Sequence, residues 1–316
     1  MNFKKLLSLT FIALMFALPL LAQNNDWENP SLVNIGMEKP HVTFMLFDNQ
    51  KDAITDDYSR SDYFKSLNGN WKFNYVDQYK DRPTAFINSD FNDSGWANLT
   101  VPSNWELQSF GKYNYGFDKD SLRGKEVGLY KHKFTVPTDW KNKKINIVFE
   151  GSMTDTEVKI NGKLAGPIHE GSFYVFKYDI SKLLKSGENL LEVKVAKHSA
   201  NQSVNEAERK ADYWIFGGIY RPVYLEALPK AHIERVQINA QADGLFEVNV
   251  LATAGADKIA IQLYDKDGNT FGERIETAIK KQIRLQREFV NPKLWSTEFP
   301  NLYLAKFTLY KGEQAL

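Results

Sequence analysis

Glu157-Val158-Lys159-Ile160-Asn161-Gly162-Lys163-Leu164 reads as two short strands with a two-residue turn between them. Apolar and polar residues alternate over 157–160, the period of a strand with one buried face. Asn-Gly suits the positive φ angles of a type I′ turn. The same pattern recurs on both sides. Trp71-Lys72-Phe73-Asn74-Tyr75-Val76 follows the Asn68-Gly69 turn, Lys144–Phe149 is another apolar run, and residues 189–195 alternate again. No stretch after residue 23 sustains a 3.6-residue apolar period, and strands nowhere alternate with helices, so these residues hold no α/β barrel. Many short strands at this spacing predict an all-β chain, with sandwiches of jelly-roll or immunoglobulin-like type.

A length of 316 residues favours two domains. The boundary is expected near Pro229-Lys230. Residues 219–228 read as the closing strand of a first domain spanning 23–228. A second series then begins, with strands at 233–238, 245–251, 259–264, 282–289 and 302–310 and an Asp267-Gly268 hairpin turn. Residues 229–316 fall short of the ~100 residues of an immunoglobulin-like sandwich. Gly312-Glu313-Gln314-Ala315-Leu316 reads as a turn entered and not completed. The second sandwich is therefore expected to be incomplete, with its last strand left as an unpaired edge.

Composition narrows the function. The chain is 43% hydrophobic and 25% charged, an ordinary balance for a globular protein. A formal net charge of +1 gives no sequence-independent grip on nucleic acid or anionic membrane. With no cysteine there is no disulfide, thiolate nucleophile or cysteine-ligated metal. His41, His132, His169, His198 and His232 are scattered, and none is spaced as a ligand pair. Residues 1–22 read as a secretory signal peptide: Lys4 and Lys5 precede an apolar run over 6–21, and Pro19 precedes Leu20-Leu21-Ala22 and a polar stretch. Roughly 16 residues fall short of the ~20 that span a bilayer. Cleavage after Ala22 would remove two lysines and change the net charge from +1 to −1. The expected location is periplasmic or secreted, with no membrane association once the leader is removed.

Several chemistries lack their motifs. Gly217-Gly218 runs into Ile219-Tyr220-Arg221, a strand and not the helix start a phosphate loop needs, and no Gly-x-Ser-x-Gly elbow occurs. Glu206, Glu208 and Asp212 form an acidic cluster that could serve paired-carboxylate cleavage of a glycosidic bond. The plainer reading is a solvated, charge-rich loop over 204–210. Trp71, Trp96, Trp105 and Trp214 sit beside turns or strand ends, where an indole can either anchor a loop or pack on the apolar face of a pyranose. Asp212, a short acid beside Tyr213-Trp214, needs a partner, whether a turn amide or a ligand hydroxyl.

The chain also resembles the bacterial β-galactosidases of glycoside hydrolase family 2. Trp27-Glu28-Asn29-Pro30, Asn34, Lys39-Pro40-His41 and Phe47 resemble the family's opening. Leu67-Asn68-Gly69-Asn70-Trp71-Lys72-Phe73 is similar to its L-N-G-x-W-x-F strand. Asp93-Ser94-Gly95-Trp96 with Val101-Pro102-Ser103-Asn104-Trp105-Glu106 is similar to its D-S-x-W…V-P-x-N-W-E segment. Gly128-Leu129-Tyr130, Phe134-Thr135-Val136-Pro137, Asp179-Ile180 and Gly187-Glu188-Asn189 continue the match. The sharpest piece, Asp212-Tyr213-Trp214-Ile215-Phe216-Gly217-Gly218-Ile219-Tyr220-Arg221, resembles D-x-W…G-I-[FY]-R. Asn291-Pro292-Lys293-Leu294-Trp295-Ser296 through Pro300-Asn301-Leu302-Tyr303 resembles N-P-x-L-W-S…P-x-L-Y.

The resemblance implies a sugar-binding-like jelly roll, an incomplete immunoglobulin-like sandwich, and a catalytic (β/α)₈ barrel lying outside this chain. That barrel supplies both glutamates of a retaining double displacement, so no catalytic residue is expected here. It further implies that Asp212 matches an aspartate lent to the galactose subsite, where it accepts sugar hydroxyls and helps hold sodium. Asn114, in Gly111-Lys112-Tyr113-Asn114-Tyr115-Gly116-Phe117, matches a second substrate contact less well because the family's proline is missing. The charged 114–127 loop departs from the usual pattern, and Gly166 to Tyr174 looks nearer the β-glucuronidase and β-mannosidase branches. No cofactor is expected in this chain, with sodium or magnesium belonging to a full-length parent. The expected partner is a β-galactoside, with no nucleic acid; a homo-oligomer is compatible with the sequence. The other readings are a non-catalytic, lectin-like two-sandwich protein and a structural partner mediating oligomer contacts.

Overall fold

In the computed structural model the 157–164 hairpin forms as read: Asn161 and Gly162 take φ of 52° and 79°, and Ile160 pairs with Lys163. The structure describes residues 36–55, 57–87, 91–116, 124–280 and 282–316. The signal peptide expected over 1–22 and the motif residues Trp27 to Asn34 lie outside them. The chain divides into Met1–Lys39, of which only a turn and coil over 36–39 are described, and Pro40–Leu316.

Within Pro40–Leu316 the first sandwich comprises β1 (Phe64–Ser66), β2 (Gly69–Val76), β3 (Ala97–Val101), β4 (Asn114–Tyr115), β5 (Val127–Thr135), β6 (Lys144–Phe149), β7 (Asp155–Ile160), β8 (Lys163–Leu164), β9 (Phe176–Asp179), β10 (Glu188–Ala196), β11 (Trp214–Ile215) and β12 (Val223–Leu228). One sheet has the order β3-β2-β5-β10-β7-β8 and the other β1-β12-β6-β9, while β4 and β11 form a two-stranded ribbon. The described pairings are antiparallel. The core follows from alternation: Trp71 and Phe73 of β2, Tyr130 of β5, Ile147 and Phe149 of β6, and Leu191, Val193 and Val195 of β10 are all buried together. Buried indoles are satisfied where the backbone allows. Trp71 donates to the Leu67 carbonyl and Trp140 to that of Asp62, each at 2.7 Å.

The second sandwich holds β13 (Ile233–Ala240), β14 (Leu245–Ala252), β15 (Lys258–Tyr264), β16 (Thr270–Ala278), β17 (Ile283–Glu288), β18 (Leu304–Lys311) and β19 (Gln314–Ala315), in sheets β13-β14-β17 and β16-β15-β18-β19. Strand β16 extends the sequence reading, which places no strand there. The edge expected at the last long strand is partly covered, because Tyr310 and Lys311 of β18 pair with Ala315 and Gln314. Val42, Phe44 and Leu46, far ahead in sequence, pack on this second core, and the Val42 amide donates to the Val236 carbonyl at 2.8 Å. The all-β architecture, a jelly roll followed by an immunoglobulin-like sandwich, stands. One correction is local: of residues 204–210, read as a solvated loop, 204–208 belong to a short helix α1 (Gln202–Glu208), begun by Asn201, whose side chain accepts from the Ser203 amide.

Gly162 shows what the turn requires. It holds a left-handed φ, and its amide donates to Glu192 at 2.9 Å. Gly162→Val is expected to lower stability by about 1–2 kcal/mol, since a β-branched residue strains in that region. Urea unfolding would register it as a shift in midpoint at unchanged slope.

Candidate functional site

Strand β11 brings the sequence candidates to one ribbon. Trp214 lies opposite Tyr115, and Ile215 opposite Asn114. The Gly116 amide extends the pairing by donating to the Tyr213 carbonyl at 2.8 Å. The two chains approach so closely that a Cβ on Gly116 would lie 1.7 Å from the Ala211 carbonyl oxygen, which explains a glycine there. Asp212 is exposed at the end of this ribbon, and the Tyr115 hydroxyl donates to its carboxylate. That hydrogen bond, ahead of desolvation and charge, raises the Tyr115 pKa and keeps the phenol protonated.

Beside Asp212 the aromatics are open to solvent. Trp214 is 52% exposed and Tyr113 57%, and their rings meet edge-to-face at 6.2 Å. Tyr115 meets Trp214 in the same way at 5.3 Å. Of the four tryptophans with two readings, Trp71 and Trp105 are core residues, and Trp214 is the one that presents its indole outward. A carboxylate and an exposed indole side by side can accept hydroxyl hydrogen bonds while packing on an apolar sugar face.

Asn114 is placed differently. It shares the ribbon, but its side chain is buried and its amide donates to Glu126 Oε1 at 3.0 Å. Residues 117–123, part of the charged 114–127 loop, lie outside the described residues. The acidic cluster does not gather around Asp212. Glu206 accepts from Gln202 and pairs with Lys210 at 2.8 Å, while Glu208 accepts from the Ser172 amide at 2.7 Å. The arrangement can bind a polyol; among the described residues it does not pose a second acid for cleavage.

Beneath the ribbon lies a set of charges the sequence did not single out. Lys197 Nζ is 2.7 Å from Glu106 Oε1 and 3.1 Å from Glu126 Oε1, and all three side chains are buried. Glu106 accepts from the Gly217 amide at 3.0 Å and 3.2 Å. Burial pushes the Glu106 pKa up, and the Lys197 charge and the Gly217 amide pull it back. Arg209, also buried, donates to the Phe216 carbonyl. Gly217 lies flat on Trp105, where an added Cβ would meet the indole at 2.0 Å.

The sodium that the resemblance attaches to Asp212 finds an incomplete donor set. Hard cations take several oxygen ligands. Asp212 offers one carboxylate that already accepts from Tyr115, and among the described residues no group of three His, Cys, Asp or Glu side chains is placed to hold a metal. These residues do not form a cation site on their own. A separate cleft of about 240 Å³ is lined by Lys65, His132, Lys133 and Glu188 among others, and none of the ribbon residues borders it.

Comparison with known proteins accounts for this organisation. The model described as "Glycosyl hydrolases family 2, sugar binding domain" matches residues 64–229, and "Glycosyl hydrolases family 2" matches residues 231–316. A β-galactosidase of Priestia megaterium is 27% identical over 315 residues, covering 90% of this chain and 30% of the relative. One of Clostridium acetobutylicum is 30% identical over 305 residues, covering 90% of this chain and 33% of the relative. The crystal structure of a Bacteroides uniformis β-glucuronidase superimposes with a TM-score of 0.61 at 25% identity, over 80% of this chain and 31% of that one. The chain thus spans about a third of the length of these relatives. Both sandwiches are matched in order, and the Asp212 ribbon falls inside the sugar-binding match: the chain belongs to glycoside hydrolase family 2.

Proposed function

We propose that this chain is the exported N-terminal portion of a retaining exo-glycosidase acting on terminal β-galactosides. Here it serves as scaffold and contributes Asp212 to the sugar subsite, and both catalytic carboxylates belong to a barrel beyond residue 316. The observation that carries the reading is the exposed Asp212 carboxylate, steadied by Tyr115 and flanked by the open indole of Trp214. Asn114 contributes through its backbone in β4, since its amide is committed to Glu126. Export to the periplasm or medium follows from the leader at 1–22 and fits a chain with no cysteine to oxidise.

A β-glucuronide is the second reading, favoured by the likeness to the B. uniformis β-glucuronidase. The two sugars differ in the configuration of the C4 hydroxyl and in the carboxylate at C6 of the glucuronide, which changes both charge and hydrogen bonding at the pocket. Titration calorimetry of the purified 316-residue chain with methyl β-galactoside and with methyl β-glucuronide separates them. The expected result is weak galactoside binding, reduced on the order of tenfold by Asp212→Ala, as for loss of one charge-assisted hydrogen bond. No turnover of an aryl β-galactoside is expected; activity abolished by Asp212→Ala would place the chemistry in this chain and overturn the assignment. Binding confined to the glucuronide would overturn the galactoside specificity.

A further inference from the structure

Lys197, Glu106, Glu126 and Arg209 are four ionisable side chains taken out of water beneath a surface ribbon. Burying ion pairs is a poor route to stability, because desolvation offsets most of the attraction and well-packed apolar side chains often do better. Their contacts show a different service. Glu106 holds the Gly217 amide, Arg209 holds the Phe216 carbonyl, and Glu126 holds the side chain of Asn114. Lys197 joins the two glutamates. Arg209 lies three residues before Asp212, and Phe216 two residues after Trp214, so the Arg209 bond closes the neck of the loop that displays both. Asn114 in turn precedes Tyr115, the residue bonded to Asp212. Apart from the Arg209 contact with Met153 Sδ at 3.6 Å, these outward side-chain bonds land on the ribbon and its loop. The cluster also leaves Glu126 Oε2 and Arg209 Nε without partners, a cost that maximal stability would not retain.

We propose that Glu106, Glu126, Lys197 and Arg209 form a buried positioning unit that fixes the loop at 209–217 and strand β4, so that Asp212, Tyr115 and Trp214 meet a sugar in one geometry. They are positioning residues: all four are buried, and they act through Gly217, Phe216 and Asn114. The proposal rests on reading Asp212 as a sugar contact, and it is tested with a readout that does not depend on sugar. Hydrogen exchange of the full chain would be compared with that of the combined variant Glu106→Gln, Glu126→Gln, Lys197→Met, Arg209→Met, which removes two charges of each sign and so strands none. Expected are amides at Gly116 and Gly217 exchanging at least about tenfold faster, with β5 and β10 unchanged, the signature of local opening. Methyl β-galactoside affinity should fall on the order of tenfold to a hundredfold, as for a misplaced contact. Should that variant not fold, Arg209→Lys keeps a charge while losing the reach to the Phe216 carbonyl, and the same local change is expected. Wild-type protection in a folded variant, or protection lost evenly over the whole sandwich, would overturn the proposal. Faster loop exchange in a chain that binds no galactoside even unaltered would support the positioning role and overturn the sugar reading alone.

Discussion

Trp105→Ala is expected to lower the free energy of unfolding by about 3–5 kcal/mol, the range for truncating a fully buried large aromatic. Trp105 is completely buried, its ring lies 6.1 Å from that of Phe73 and 6.0 Å from that of Tyr75, and Gly217 rests directly on it. The cavity would open between the core and the site loop, where the glycine backbone has no side chain with which to fill it. Trp105→Phe should lose less, about 1–3 kcal/mol, because most of the ring contacts survive and the indole N–H has no partner to forfeit. Urea unfolding of the three proteins gives the comparison. An alanine variant within about 0.5 kcal/mol of wild type would mean the loop collapses onto the vacated space.

Lys197→Met carries the second large effect and a sign in pH. It strands two carboxylates that lie 2.7 Å and 3.1 Å from the ammonium, and breaking a buried pair in this way costs about 3–5 kcal/mol. Burial already raises the Glu106 pKa above 4.5, and Lys197 is the largest influence opposing that rise. Removing Lys197 therefore raises the folded-state value further while the unfolded value stays put. A group raised on folding binds more protons in the native state, so its contribution is intact below the unfolded pKa and lost as pH rises through the folded one. The deficit of Lys197→Met relative to wild type should be smallest near pH 4.5 and grow toward pH 8. A deficit independent of pH across that window would assign the loss to packing of the lysine stem.

The fold was legible because its signals are local. Alternation in β2, β7 and β10 and the Asn161-Gly162 turn need only neighbouring residues to be read. What escaped lacks local contrast. In β16 only Phe271, Ile275 and Thr277 are even half-buried, so its alternation has little amplitude. Helix α1 is one short capped segment, long enough to bury no residue fully. Strands β4 and β11 are two residues each and exist through each other. Of the site, Asp212 stood out beside Tyr213-Trp214, its role in a sugar subsite came from the resemblance, and its environment came from tertiary structure. Tyr115 as its partner and the inward turn of Asn114 depend on chain segments far apart in sequence. The buried charges had one available signal: Lys197 falls two residues after Val195 and four after Val193, in step with the alternation that buries both, an unusual place for a lysine, but its partners Glu106 and Glu126 could be named only once the strands were assembled.

The segment at 42–46 sets an order of events during synthesis. It leaves the ribosome before any of the jelly roll, yet its apolar side chains find their places on strands completed only near residue 310. Such widely separated contacts close slowly, and the first sandwich can mature in the interval. Val42, Phe44 and Leu46 meanwhile wait without their berth, apolar surface that native packing covers only when translation has passed the far end of the second sandwich.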